Sequence, residues 1–256
     1  MKAFGITVMS LLLLCSCRSA GPLQRELNTM RSHLYYELTS PVYTGEVKHA
    51  VFMDIISSNI NYYSHIERTG GYFIPLLFYN VQRDNFRILL GEHSLNMLYR
   101  EFLTEALLTE CNSSTCFDLV DNQDERVNPD TVYRLEVKIR KNETVGDLSI
   151  HFSQLLWFDG TYLNSESVRY HPSATDLCIS LRLSRGCDCL FDKTYEVKHK
   201  QPVRYNSFYD TYDASQAAMN NMSRALSLAT KEMVEQISLD LNLVMAAEAI
   251  SKQVLP

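Results

Sequence analysis

Along residues 131–141, apolar Tyr133, Leu135, Val137 and Ile139 alternate with charged Arg134, Glu136, Lys138 and Arg140. A two-residue period sends each set to its own side of a strand, which predicts a sheet with one buried and one wet face. Residues 47–56 alternate in the same way, but Ala50, Phe52 and Ile56 make the second side partly apolar, so this strand is expected at the centre of a sheet. Residues 72–79 (YFIPLLFY) form a second apolar run, and Pro75 inside it cannot donate a ladder hydrogen bond, which predicts a sheet edge or a bulge. Residues 86–90 predict a strand broken by Gly91, and residues 117–120 a further short one. The pattern then predicts a pair, 148–158 and 161–170, joined at Asp159-Gly160, two residues that tolerate positive φ. Alternation resumes at Leu177, Ile179, Leu181 and Leu183 and less regularly from Phe191 to Val197, so the middle of the chain reads as an antiparallel meander.

The period changes to three and four residues in two places. Leu95, Leu98, Tyr99, Phe102, Leu103, Ala106 and Leu107, behind Ser94 as an N-cap, predict an amphipathic helix of about five turns. Behind the capping-box variant Asp213-Ala-Ser-Gln216, one face runs through Ala218, Met222, Ala225, Ala229, Met233 and Ile237 and predicts a second long helix. The run from 241 to 250 either extends it or forms a tail. The expected fold class is α+β: a mainly antiparallel sheet with two long helices packed on one face.

The start of the chain obeys a different rule. Lys2 is followed by an uncharged run and then by Leu14-Cys15-Ser16-Cys17, the layout of a signal peptide too short to span a bilayer permanently. The ending resembles the lipobox of bacterial lipoproteins, with a leucine three residues before a cysteine, and that resemblance implies lipidation at Cys17. The expected organisation is a signal peptide over 1–16, a lipidated terminus and linker arm over 17–46, one domain over 47–241, and a tail or helix extension over 242–256. By the same resemblance, Arg18 in place of aspartate and the lack of an acidic run imply the outer membrane, facing the periplasm.

Removing residues 1–16 takes away only Lys2, leaving 23 basic against 30 acidic side chains, formally −7. Nucleic acid and anionic lipid are bound chiefly through clustered Lys and Arg, so this balance argues against either as the main partner, while a local basic patch stays open.

Five cysteines follow Cys17. In an exported chain close spacing favours disulfides. Cys111 and Cys116 are the candidate pair, in a polar turn between the predicted helix and strand; Cys178 is expected to reach Cys187 or Cys189 across a hairpin near Arg185-Gly186, with zinc on these three sulfurs as the alternative. The acidic loop 121–130 carries Arg126 where an EF-hand needs glycine. No Gly-x-Ser-x-Gly, His-Glu-x-x-His or glycine-rich phosphate loop occurs. A spatially assembled site built on His93 and Cys189, or on Asp121 and Asp124, is left as the enzymatic alternative. Tyr205, Phe208, Tyr209 and Tyr212, at spacings of three and four, are candidate contacts for a protein or polysaccharide; the competing reading is that they plug the end of the sheet. Tyr35-Tyr36 and Tyr62-Tyr63 add aromatics in predicted loops.

The order strand, helix, antiparallel strands, helix behind a lipobox is similar to the auxiliary lipoproteins of ABC-type lipid transporters. Lipopolysaccharide-assembly lipoproteins and the LpoB-like activators of cell-wall synthesis share that architecture. The likeness covers residues 47–240 in element order, without a residue motif, and departs from it at an insertion over 57–71 and at the 157–170 hairpin. It implies a non-catalytic subunit, without a cofactor, that docks on a membrane complex or on other lipoproteins of the envelope.

Overall fold

A computed structural model describes residues 20–38, 49–57, 60–75, 79–121, 132–156, 162–203, 207–209 and 211–254. Among these are nine strands in one sheet: β1 (His49–Ser57), β2 (His65–Pro75), β3 (Tyr79–Leu89), β4 (Phe117–Asp121), β5 (Tyr133–Leu156), β6 (Tyr162–Tyr170), β7 (Ser173–Arg185), β8 (Asp188–Gln201) and β9 (Ser207–Phe208). Three α-helices accompany them: α1 (Ala20–Thr29), α2 (Tyr99–Ser114) and α3 (Thr211–Val254).

β5 is the spine. β1 and β3 follow one another along one of its edges, pairing with residues 133–139 and 145–155, while β7 and β6 follow one another along the other. β6 and β7 are one antiparallel run interrupted only at His171 and Pro172. A register shift between Ile139 and Lys141 changes which side of β5 faces the core, from odd positions (Val137, Ile139) to even ones (Gly146, Leu148). β1 is central, as its two-sided apolar pattern predicts, but its pairings with β4 and β5 are both parallel. Pro75 closes β2, an edge strand that also carries a bulge at Arg68/Gly70. Gly71 there has φ 153°, and a Cβ on it would meet the Arg83 carbonyl oxygen at 2.3 Å. The Asp159-Gly160 turn lies outside the described residues, beyond the last pair, Leu156 with Tyr162.

The expected pair of long helices does not form, and this corrects the fold class. One helix is long: α3 has 44 residues, about 66 Å at 1.5 Å per residue, and takes in the 241–250 run. α2 has 16 residues and starts at Tyr99 rather than behind Ser94. The hydroxyl of Ser94 is used elsewhere, accepting from Ser64 at 2.8 Å, and Leu95 and Asn96 bridge to Ser32 instead of entering a helix. α1 is a third helix, in the stretch read as an arm, and it buries Leu23 and Leu27 in the core. The chain after it stays attached, since the Tyr36 hydroxyl donates to the buried Glu110 carboxylate at 2.7 Å. Burial and that acceptor push the Tyr36 ionisation well above the usual phenol range.

The predicted α3 face is the one that packs: Ala218, Met222, Ala225, Ala229, Met233 and Ile237 are all buried, against inward side chains of β5, β7 and β8. Gly146 of β5 is where the helix comes closest, because a Cβ there would lie 3.0 Å from the Met222 sulfur. Lys193 of β8 pairs with Asp240 at 2.5 Å and holds its carboxyl below the usual range, and Tyr195 donates to the same oxygen at 2.7 Å.

Candidate functional site

The four candidate aromatics separate. Phe208 is half-buried, with its ring 5.8 Å from that of Tyr170, and its strand β9 pairs with Val168 and Arg169 of β6. It plugs the sheet. Tyr209 is 90% exposed and Tyr212, in the first turn of α3, is 49% exposed, so these two face solvent. Tyr205 and Cys17 lie outside the described residues, and α1 begins three residues after Cys17. Tyr62 and Tyr63 are exposed and gather round His93, whose Nε2 lies 3.0 Å from an Arg31 nitrogen.

No bond joins Cys111 to Cys116. Cys111 is a thiol buried on α2, and desolvation pushes its ionisation up to about 12. Cys178 stands opposite Glu196 while Cys189 stands opposite Ser184. Six residues of strand put Cys178 about 20 Å from the turn, beyond the roughly 7 Å that a disulfide tolerates between Cα atoms. The expected bridge to Cys187 or Cys189, and zinc on the three sulfurs together, are therefore excluded by the register. Among the described residues no group of three or more His, Cys, Asp or Glu side chains is arranged to hold a metal ion.

Nor are the candidate catalytic groups brought together. Cys189 is an exposed thiol beside the β7–β8 turn, with its sulfur toward the Phe191 carbonyl, whereas His93 packs with Arg31 and the tyrosine pair. Asp121 ends β4 and Asp124 lies outside the described residues. One Ser–His contact that sequence reading missed is present: Ser149 Oγ lies 3.0 Å from His171 Nε2. Its hydroxyl also lies 2.8 Å from Asn85 Oδ1, an atom that can only accept, so the serine donates there and accepts a hydrogen bond from the imidazole N–H. That polarity is the reverse of what a nucleophile needs.

What the sheet does present is one long uncovered face. In an antiparallel pair, residues directly opposite share a face, so register arranges its side chains in rows across β2, β3, β5 and β6. The outermost row is Tyr79, Leu155 and Leu163, and the next is Ile74, Val81, Ser153 and Ser165. Then come Tyr72, Arg83, His151 and Ser167, and below them Asn85, Ser149 and Arg169. Tyr72, Ile74, Tyr79 and Leu163 are all exposed. Arg83, Ser149, His151, Ser167 and Arg169 line a groove of about 220 Å³, which adjoins a larger one of about 500 Å³ reaching Arg87, His171 and Lys200. β2 and β6 flank this surface.

No family model matches the chain, and no curated protein is similar to it. Among solved structures it is similar to a Xanthomonas campestris protein assigned to the DUF330 family, at 12% identity and a TM-score of 0.45, covering 86% of this chain and 99% of that one.

Proposed function

We propose that this chain is a non-catalytic envelope lipoprotein, lipidated at Cys17, held at the outer membrane facing the periplasm, and serving as an accessory or assembly subunit of a membrane-associated complex. The tether is supported by the lipobox-like Leu14-Cys15-Ser16-Cys17, and the docking role by an apolar strip on the outer side of α3. Leu239 and Leu243, one turn apart on that helix, are 68% and 70% exposed, with Ala246 and Ala247 exposed beside them. Large aliphatic side chains left bare in such a cluster mark a surface that another protein covers. That strip is the observation on which the reading rests.

The experiment places a photo-crosslinking residue at Leu243, with Arg134 as a solvent-facing control, and irradiates intact envelopes. The expected result is one discrete adduct with a membrane-protein subunit at 243, none at 134, and loss of both membrane fractionation and adduct in Cys17→Ala. A Cys17→Ala chain that still fractionates with the membrane, or position 243 without an adduct, overturns the reading. A second reading, a module that binds a protein or polysaccharide ligand, is favoured by the exposure of Tyr209 and Tyr212 alone.

A further inference from the structure

We propose that the uncovered face at the hairpin end of the sheet docks on an anionic phospholipid leaflet. This goes beyond the accessory role and stands without it. Successive rows on one face are two residues apart, about 6.6 Å, so the apolar outermost row (Tyr79, Leu155, Leu163) and the Ile74 and Val81 side of the next, beside Ser153 and Ser165, reach about 7 to 10 Å in from the end of the sheet. That is the depth to which interfacial elements bury their apolar side. The next row holds Arg83 and His151 with Tyr72 beside them, and Arg169 follows one row further in. Cations and tyrosines at this level match lipid phosphates and the headgroup zone.

Charge argues for this occupant. The chain as a whole is acidic, with 30 Asp and Glu against 24 Lys and Arg, yet no acidic residue stands in any of the four rows. Elsewhere on the sheet Arg68 is paired with Asp84 at 2.5 Å, Arg87 with Asp147 at 3.0 Å and Lys141 with Asp176 at 2.7 Å, and Arg182 stands opposite Glu136. Arg83, His151 and Arg169 make no ion pair or hydrogen bond among the described residues, and all three are exposed. Between these rows the opposite side of the same strands carries Phe73, Phe152 and Ile150 among Gln82, Gln154, Asn164 and Glu166, and no basic side chain, so there the cations belong to one face only.

The single tryptophan of the chain, Trp157, follows directly on Leu156, the last residue of β5, and serves as the reporter. The mature chain, beginning at residue 17 and carrying Cys17→Ala so that neither signal segment nor lipid can insert, is mixed with vesicles of phosphatidylcholine, alone or with phosphatidylglycerol, in which the phosphatidylcholine acyl chains are brominated. Tryptophan emission is expected to be quenched on the anionic vesicles and nearly unquenched on the neutral ones. Arg83→Gln with Arg169→Gln removes two juxtamembrane charges and lowers the vesicle partition constant about thirtyfold. Ile74→Ser with Leu163→Ser abolishes quenching too, whereas Arg134→Gln with Lys138→Gln, at the other end of the same face, leaves it intact. Inorganic phosphate at constant ionic strength has no effect. Quenching that is equal on neutral vesicles, that survives the Arg83/Arg169 change, or that phosphate abolishes overturns the leaflet as occupant, as does its absence throughout. Fractionation through Cys17 and crosslinking at 243 are read separately, so either proposal can fail alone.

Discussion

The two ends of β5 show what a sheet does with and without a helix on it. From Tyr133 to Ile139 the inward residues lie beneath the helices, and Val137 and Ile139 have no exposed surface, while Arg134, Glu136 and Lys138 opposite them are wet. From Phe152 onward β5 continues beyond the start of α3, whose first residue, Thr211, hydrogen-bonds to Glu166 four pairs short of the hairpin end. There the strand carries the apolar side chains that the wet face of its other half lacks: Leu155 pairs with Tyr79 and Leu163. Apolar burial contributes roughly 25 cal/mol per Å² removed from water. Exposed leucine and tyrosine at the hairpin end therefore contribute little to folding, which makes that end the part of the sheet free to serve an encounter.

The sharpest way to break this comparison is to place one carboxylate in each half. Ala225→Asp would bury an unpaired charge where α3 lies on the core, and a loss of more than about 4 kcal/mol, or failure to fold, is expected. Leu163→Asp at the hairpin end is expected to change stability by about 0.5 kcal/mol or less. Urea denaturation of both variants beside the parent checks this, and equal losses would mean that the hairpin end is as much core as the helix-covered half.

Cysteine chemistry sharpens the same contrast with a smaller effect. Burial holds the Cys111 thiol neutral up to about pH 12, whereas in the unfolded chain it ionises near its ordinary value of 9. A folded-state pKa that is raised supplies stability below the unfolded value, and that stability is lost as pH rises towards the folded one. About 2 kcal/mol is expected to disappear by the middle of the pH 9 to 12 window. Cys111→Ala should flatten that part of the stability profile, while alkylation at neutral pH should mark exposed Cys187 and Cys189 and spare Cys111. Rapid alkylation of Cys111 in the native protein would show the covered half to be open.

Much of the covered half is legible in the sequence because alternation and helical period are records of burial. The inward positions of β5 before the bulge, the packed face of α3, the central place of β1 and the edge position of Pro75 all follow from that rule. Three things do not. The parallel pairing of β1 is long-range and leaves no local pattern. The reversal of sides in β5 depends on a bulge near Lys141 that no glycine or proline announces. The rows that bring together Arg83 and Arg169, with His151 between them, come from three strands, 68 and 18 residues apart, and such a juxtaposition exists only once register is known. The Cys178 expectation fails for the same reason: proximity in sequence to the turn is not proximity across it.

The weakest effect is the most informative about helix starts. Periodicity places Leu98 on the buried face of a helix beginning at Ser94, and on that basis Leu98→Asp would be severely destabilising. In the structure Leu98 is the N-cap of α2 and 42% exposed, so little apolar surface is at stake. One half of a capping box already exists, since the Leu98 N–H donates to Glu101 Oε2 at 3.3 Å. The other half is missing because leucine has no oxygen to accept from the first helical turn. Aspartate supplies it, at a gain of about 1 kcal/mol for a good cap. Glu92, whose carboxylate accepts from the Tyr99 N–H at 3.2 Å, and Glu101 stand close enough to repel a third carboxylate and offset part of that gain. The net expectation is stabilisation of about 0.5 kcal/mol by urea denaturation. Stability that rises further with added salt would identify the repulsion; a loss above about 2 kcal/mol would mean that α2 begins where periodicity put it.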